Sequence, residues 1–300
     1  MIEFFKETNF DFIGKRNILF GVSILSVLVG VVALIQIGRG EANLGVDFSG
    51  GTAIALRFDR PIAIESARKV LSENGFIDAE LQEVVAEKKL FIRVRKGDKG
   101  NVNDKITDLI IKAYPNNKFV VESSTEVGPK IGKKLQSDAL LAIAVSMLGI
   151  VLYIAFRFEF RFGIAAVLAT FHDVFFLLGV FYLLDKEITL LFVTALLTIA
   201  GYSLSDTVVL FDRIRENLKK GKRDPFPKII NDSINQTLSR TFNTGFSTLL
   251  VVVSLFYLGG EVIHDFALTM ILGILVGTYS SWFIASSLLI TMRGDTAHRA

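Results

Sequence analysis

Asp206 is the residue of this chain most able to do chemistry. It stands in the stretch LLFVTALLTIAGYSLSDTVVLFDRIREN (190–217), which begins as an apolar helix and turns charged only at Asp212, Arg213, Arg215 and Glu216. An ionisable group inside a membrane helix costs a few kcal/mol, about 2.5 or more, so by default it marks a functional site. Asp206 lies roughly 7–8 Å short of Phe211 at about 1.5 Å per residue. Tyr202 and Ser203 lie one turn before it, at i−4 and i−3, and Leu210 lies one turn after. Apolar surroundings favour a neutral carboxyl and a nearby cation favours a charged one. A group held between those influences can take up and release protons. The same group, permanently paired, fixes helix packing, and the residues alone leave both readings open.

Three more polar residues belong with it. Arg240 opens another apolar run, where a guanidinium can snorkel to the interface along its own stem. His172 and Asp173 fall near the middle of a further run, the costliest depth for charge. Adjacent helical residues point about 100° apart, so the two are not expected to face one neighbour squarely. Asp173 is therefore a second candidate relay group, while His172 and Ser203 read as relay or packing residues. Thr194, Thr198, Gly201 and Ser205 recur at helical spacing, as do Asn243, Thr244 and Ser247, and Gly273 with Gly277. Such small and hydroxyl faces let membrane helices pack closely, which is how they are read here.

The elements that must hold these residues are membrane helices. Hydrophobic residues make up 51% of the 300, above the usage of ordinary soluble domains. There is no Cys, which excludes disulfides, thiolate chemistry and Cys-based metal sites. Six runs are long enough to cross about 30 Å of hydrocarbon: 17–37, 138–156, 162–184, 188–211, 241–258 and 266–292. The first exceeds a signal-peptide core, and 36–42 offers no small-x-small cleavage site, so it reads as a retained helix. Lys and Arg crowd the segment 212–240 and recur at Arg157 and Arg161, while the alternate loops hold only Lys186. By the positive-inside rule both termini are expected in the cytoplasm, including a tail at 293–300, with the segment 38–137 outside. Interleaved Asp212, Glu216 and Asp224 weaken any phosphate-binding case for the basic loop, and nucleic acid is not expected as a partner.

The outer segment is long enough for one small domain. Strands are expected at 52–58, 77–85, 89–95 and 118–124, with helices at 62–74 and 102–114. The order βαββαβ predicts a ferredoxin-like α+β sandwich. Ahead of it runs GVDFSGGT (45–52), nearly a P-loop, but Gly51 stands where the phosphate-binding Lys belongs and a strand follows instead of a helix. Nucleotide binding is set aside. Gly45, Asp47, Gly50 and Gly51 read as a structural turn that needs positive φ and close backbone approach.

GVDFSGG after the first helix, His172-Asp173-Val174 in the third, GYSLSDTVVLFDRIREN across the end of the fourth and NQTLSRTFNTGFSTLL opening the fifth occur together. In this combination the chain closely resembles the SecF family of bacterial preprotein translocase subunits, of the RND superfamily, over nearly its whole length. The resemblance implies a multi-pass inner-membrane subunit that works with SecD and the SecYEG channel, and with YajC and YidC. Its implied task is to draw unfolded preproteins outward on the proton motive force after the ATPase SecA has acted. Within the family a fourth-helix Asp and an Arg at the start of the fifth are tied to proton passage, and they match Asp206 and Arg240. The partner of Arg240 is then Asp206 or a carboxylate on SecD. No Walker A or HExxH constellation is present, so an accessory, non-enzymatic role without metal or cofactor is expected, in contact with membrane lipid. A small-molecule RND exporter and a non-conducting scaffold are the rival readings.

Overall fold

The computed structural model describes residues 8–77, 79–84, 87–94, 102–220 and 224–293, with Val84, Glu261 and Arg293 described by backbone alone. The tail beyond 293, Lys222 and Arg223, and the expected strand ends at 85 and 95 lie outside the described residues. The chain divides into two compact units, 1–43 with 142–300, and 44–141.

The smaller unit is built on four antiparallel strands, β1 (Gly51–Phe58), β2 (Glu80–Val84), β3 (Lys89–Val94) and β4 (Phe119–Val127), in the order β2-β3-β1-β4. Helices α3 (Ile64–Glu73) and α4 (Val102–Ala113) complete the split βαββαβ pattern. Alternation drives it: Ile54, Leu56 and Phe58 of β1 turn to one face and bury against Leu71 of α3 and Ile106 and Ile110 of α4. The opposite face carries Arg57, Lys89 and Glu122, with Glu122 paired to both cations. Burial pulls the Lys89 ammonium down, but Glu87 and Glu122 outweigh it and raise its pKa.

The glycine-rich approach to β1 departs from the expected turn. Val46–Ser49 forms a short helix, α2, and only Gly50 (φ +73°) and Gly51 (φ +129°) take the left-handed region. Gly45 is extended at φ −61° and Asp47 sits in the first turn of α2. A side chain at Gly50 would also press on the backbone of Pro129, with Cβ to Cα at 3.0 Å.

The larger unit holds helices long and apolar enough to cross a membrane; counting all described residues there are six in the chain. They are α1 (Arg16–Arg39), α5 (Pro129–Arg157), α6 (Phe160–Leu183), α7 (Leu190–Lys219), α8 (Phe226–Leu258) and a composite sixth. That sixth helix consists of α9 (Glu261–Tyr279), a π-helical turn (Ser280–Ala285) and α10 (Ser286–Arg293). Three boundaries differ from the sequence reading. Helix α5 begins at Pro129 rather than 138, because Pro is suited to the first turn and the polar residues after it extend the helix before its apolar run. Helix α7 continues beyond Phe211 to Lys219, and α8 starts at Phe226, so 212–219 and 226–240 are helical. Charges at i,i+3 and i,i+4, Arg213–Glu216 and Lys220–Glu216, line that polar extension.

Two close approaches set the bundle. A Cβ at Gly30 of α1 would overlap the Phe175 carbonyl of α6, and one at Gly179 of α6 would lie 3.0 Å from the Gly30 nitrogen. A Cβ at Gly277 of α9 would come within 2.9 Å of the Ser203 Cβ on α7. Small residues at these crossings draw the backbones together. At one end of the unit Phe158, Phe162 and Phe211 make edge-to-face contacts in an aromatic core. The N-terminal strap lies along α8: Asn231 and Asn235 accept from the amides of Phe12 and Phe10 and donate to the Phe10 carbonyl.

Candidate functional site

Asp173 occupies the centre of α6 and is fully buried, at 0% exposure. Its Oδ1 lies 3.0 Å from His172 Nδ1, and its Oδ2 accepts from Ser203 Oγ of α7 (2.5 Å) and Ser280 Oγ of the π turn (2.8 Å). The carboxylate thus has three hydrogen-bond partners from three elements. The His172 and Asp173 side chains meet each other directly despite their angular separation on the helix. His172 Nε2 is buried without a hydrogen-bond partner among the described residues. The imidazole lies along the Tyr279 ring, and Tyr279 Oη reaches Ser23 Oγ and the Leu19 carbonyl of α1.

Asp206 is held differently. Thr241 Oγ1 of α8 donates to its Oδ1 at 2.6 Å. Its Oδ2 is buried with no hydrogen-bond partner among the described residues. Arg240 is close enough for its charge to act on Asp206, but the guanidinium is exposed and makes no hydrogen bond to that carboxylate. Beside Asp206, Ser205 is exposed, and so are Gly201, Thr198 and Thr194 farther along the same face of α7. Among the described residues nothing lies within 4 Å of a Cβ placed at Gly201 on that face. Gly273 and Gly277 do pack as expected, against Ile199 and Ser203.

Ser203 faces away from Asp206, one turn along the same helix, and serves Asp173 instead. Further hydroxyls extend its network: Thr207 Oγ1 lies 2.8 Å from Ser281 Oγ and also donates to the Ser203 carbonyl. Ser280, Ser281, Thr207 and Thr241 carry the sites and were not singled out from the sequence. The adjacent pair Ser280-Ser281, one turn after Gly277 in an apolar run, was the available signal. Thr241 directly follows Arg240 and, by sequence, only opens an apolar run.

Six apolar helices with carboxylates set among them and a small α+β domain define a multi-pass membrane protein. The family described as "Protein export membrane protein SecD/SecF, C-terminal" matches residues 107–295. The protein translocase subunit SecF of Thermodesulfovibrio yellowstonii is 50% identical over 97% of this chain and 97% of its own length. That of Magnetococcus marinus is 42% identical over 96% of this chain and 94% of its own. The crystal structure of SecDF, a translocon-associated membrane protein from Thermus thermophilus, superposes with a TM-score of 0.84 at 36% identity, covering 96% of this chain and 39% of that one. The chain belongs to the SecD/SecF family of protein export membrane proteins, and within it to the SecF members.

Proposed function

We propose that this chain is an accessory subunit of the Sec translocase, resident in the cytoplasmic membrane. It acts with a SecD-type partner to couple the proton motive force to export of unfolded preproteins. The pairing with SecD follows from the SecDF relatives, in which the stretch matching this chain is joined to a longer polypeptide. Both termini lie in the cytoplasm and the unit 44–141 lies outside, on the Lys and Arg distribution. Work is done without an enzymatic step of the chain's own.

The observation that carries the coupling is the half-satisfied Asp206. One oxygen is bonded to Thr241, the other is buried with no donor, and Arg240 stands near without closing an ion pair. An ionised carboxylate in that position lacks a full set of donors, and a protonated one lacks an acceptor for its proton. Neither state is locked in, so a small change in the surroundings moves the proton. Asp173 serves as the second relay group. Each charge moved down 100 mV supplies about 2.3 kcal/mol, so a few protons suffice to repack helices and move the outer domain. The channel SecYEG, with YajC and YidC, is the expected wider assembly.

Precursor translocation in membrane vesicles, with and without an imposed proton gradient, tests this reading. Asp206→Asn keeps the size and abolishes titration, and it is expected to erase the gradient-dependent part of translocation. Undiminished stimulation by the gradient would leave the chain a scaffold. Loss of dye or drug efflux with intact translocation would make it an exporter.

A further inference from the structure

Asp173 raises a problem that Asp206 does not. It is entirely buried, and among the described residues its ionisable neighbours are His172 on its own helix and Tyr279, which faces that imidazole. Helix α7 presents Ser203, the π turn presents Ser280, and α1 reaches the cluster through Ser23 and the Leu19 carbonyl on Tyr279. A carboxyl in such a cage can change its charge only if the cage satisfies both forms. A buried hydroxyl or carboxyl left unpaired would otherwise hold the proton on or off.

Ser280 provides the second arrangement. Its hydroxyl carries one proton and has two acceptors within reach, Asp173 Oδ2 at 2.8 Å and the Gly277 carbonyl at 3.1 Å. With Asp173 ionised, the proton of Ser280 points to Oδ2. When a proton binds Oδ2, the new O–H donates to Ser280 Oγ, and the hydroxyl of Ser280 turns to the Gly277 carbonyl. One proton is taken up, one hydroxyl rotates, and no polar group loses its partner. Ser280 and Ser281 both reach back to the Gly277 carbonyl where the π turn Ser280–Ala285 begins, and such turns occur often at functional sites.

We infer that Ser280, presented by the π turn of the sixth helix, is a positioning residue that makes Asp173 a reversible proton-binding site by switching its hydroxyl between Asp173 Oδ2 and the Gly277 carbonyl. This rests on the reading of the chain as a proton-coupled subunit and extends it to a residue on another helix. The rotation converts a charge change on α6 into a change of bonding on the sixth helix. Within the same turn, Trp282 and Phe283 hold Phe12 of the N-terminal strap.

The test is a pH titration by infrared difference spectroscopy of the full chain in lipid with its SecD-type partner, following the carbonyl stretch of protonated carboxyls. An Asp206→Asn background removes the other site. One of the titrating bands is expected to vanish in Asp173→Asn, which assigns it to Asp173. Ser280→Ala is expected to move its midpoint by about one pH unit, a tenfold change in proton affinity, the worth of one charge-assisted hydrogen bond. Ser280→Thr restores the hydroxyl and returns the midpoint to within about twofold. Ser286→Ala, whose hydroxyl bonds only the Trp282 carbonyl, leaves it in place. Should Ser280→Ala not assemble, Ser280→Cys replaces it and must also move the midpoint. A midpoint indifferent to Ser280, or no band lost in Asp173→Asn, overturns the inference. Normal export in Asp206→Asn would defeat the coupling role of Asp206 and leave this titration to be read separately.

Discussion

The two membrane carboxylates of this chain are solved in opposite ways. Asp173 is enclosed by partners from α6, α7 and the π turn, and none of its surface is exposed. Asp206 has one donor, one bare oxygen and a cation near it that does not bond it. It also borders a face of α7 on which Thr194, Thr198, Gly201 and Ser205 stand exposed. Burial alone therefore does not define a proton site. What distinguishes the two is how many donors each carboxylate holds and whether they can rearrange. On the proposed reading, Asp173 holds a proton within the bundle and Asp206 exchanges one at its margin.

The strongest way to break that contrast is to dismantle the cage. Asp173→Ala leaves His172, Ser203 and Ser280 facing a gap, and should cost about 2–4 kcal/mol of bundle stability, read as an earlier thermal unfolding of the purified complex. Asp206→Ala removes a carboxyl with a single donor and should cost less than half as much while still abolishing gradient-dependent export. Equal losses of stability would erase the distinction.

A smaller, purely steric probe is Gly277→Ala. The added methyl would meet Ser203 at about van der Waals overlap and push it from Asp173, with an expected cost of about 1–3 kcal/mol. Gly201→Ala, with nothing within 4 Å of its Cβ, should be tolerated in the isolated chain. If Gly201→Ala nevertheless weakens co-purification with the SecD-type partner, the exposed face of α7 is where that partner sits.

Thr241→Val is subtler still. It removes the donor to Asp206 at nearly constant volume, so stability should change by about 1 kcal/mol while gradient-dependent translocation falls several-fold. Thr207→Val, on the Asp173 side of α7, should not reproduce that fall in translocation.

The smallest effect belongs to the α+β domain, remote in kind from either carboxylate. Lys89 is held charged by Glu87 and Glu122, which raise its pKa above the ordinary value despite its burial. A raised lysine contributes stability that is complete below its unfolded pKa and is lost as pH climbs through the folded one. Hydrogen exchange of β3 should therefore separate Lys89→Met from the parent protein at neutral pH, and the two should converge at strongly alkaline pH.

Much of this was legible in the residues. Hydropathy marked all six membrane helices, because a span of apolar side chains is required by bilayer thickness regardless of what packs against it. Alternation marked the four strands of the smaller unit for the same kind of reason. Asp206 and Asp173 stood out as charges where charge is expensive. Their partners did not, because Ser203, Ser280 and Thr241 come from other helices, and no local pattern encodes which helix crosses where. Ser203 shows the limit well: sequence spacing put it beside Asp206, while the crossing of α6 and α7 gave it to Asp173. The helical continuation of α7 to Lys219 was also hidden, since a polar helix beyond the bilayer reads as a charged loop when judged by hydropathy.

Labelling with dicyclohexylcarbodiimide, which attacks protonated carboxyls in apolar surroundings, tests the division of labour most directly. Applied to the intact complex in lipid and mapped by peptide mass spectrometry, it is predicted to modify Asp206, less so as the medium is made alkaline, and to leave the enclosed Asp173 unmodified. An adduct on Asp173 with Asp206 untouched would contradict the account.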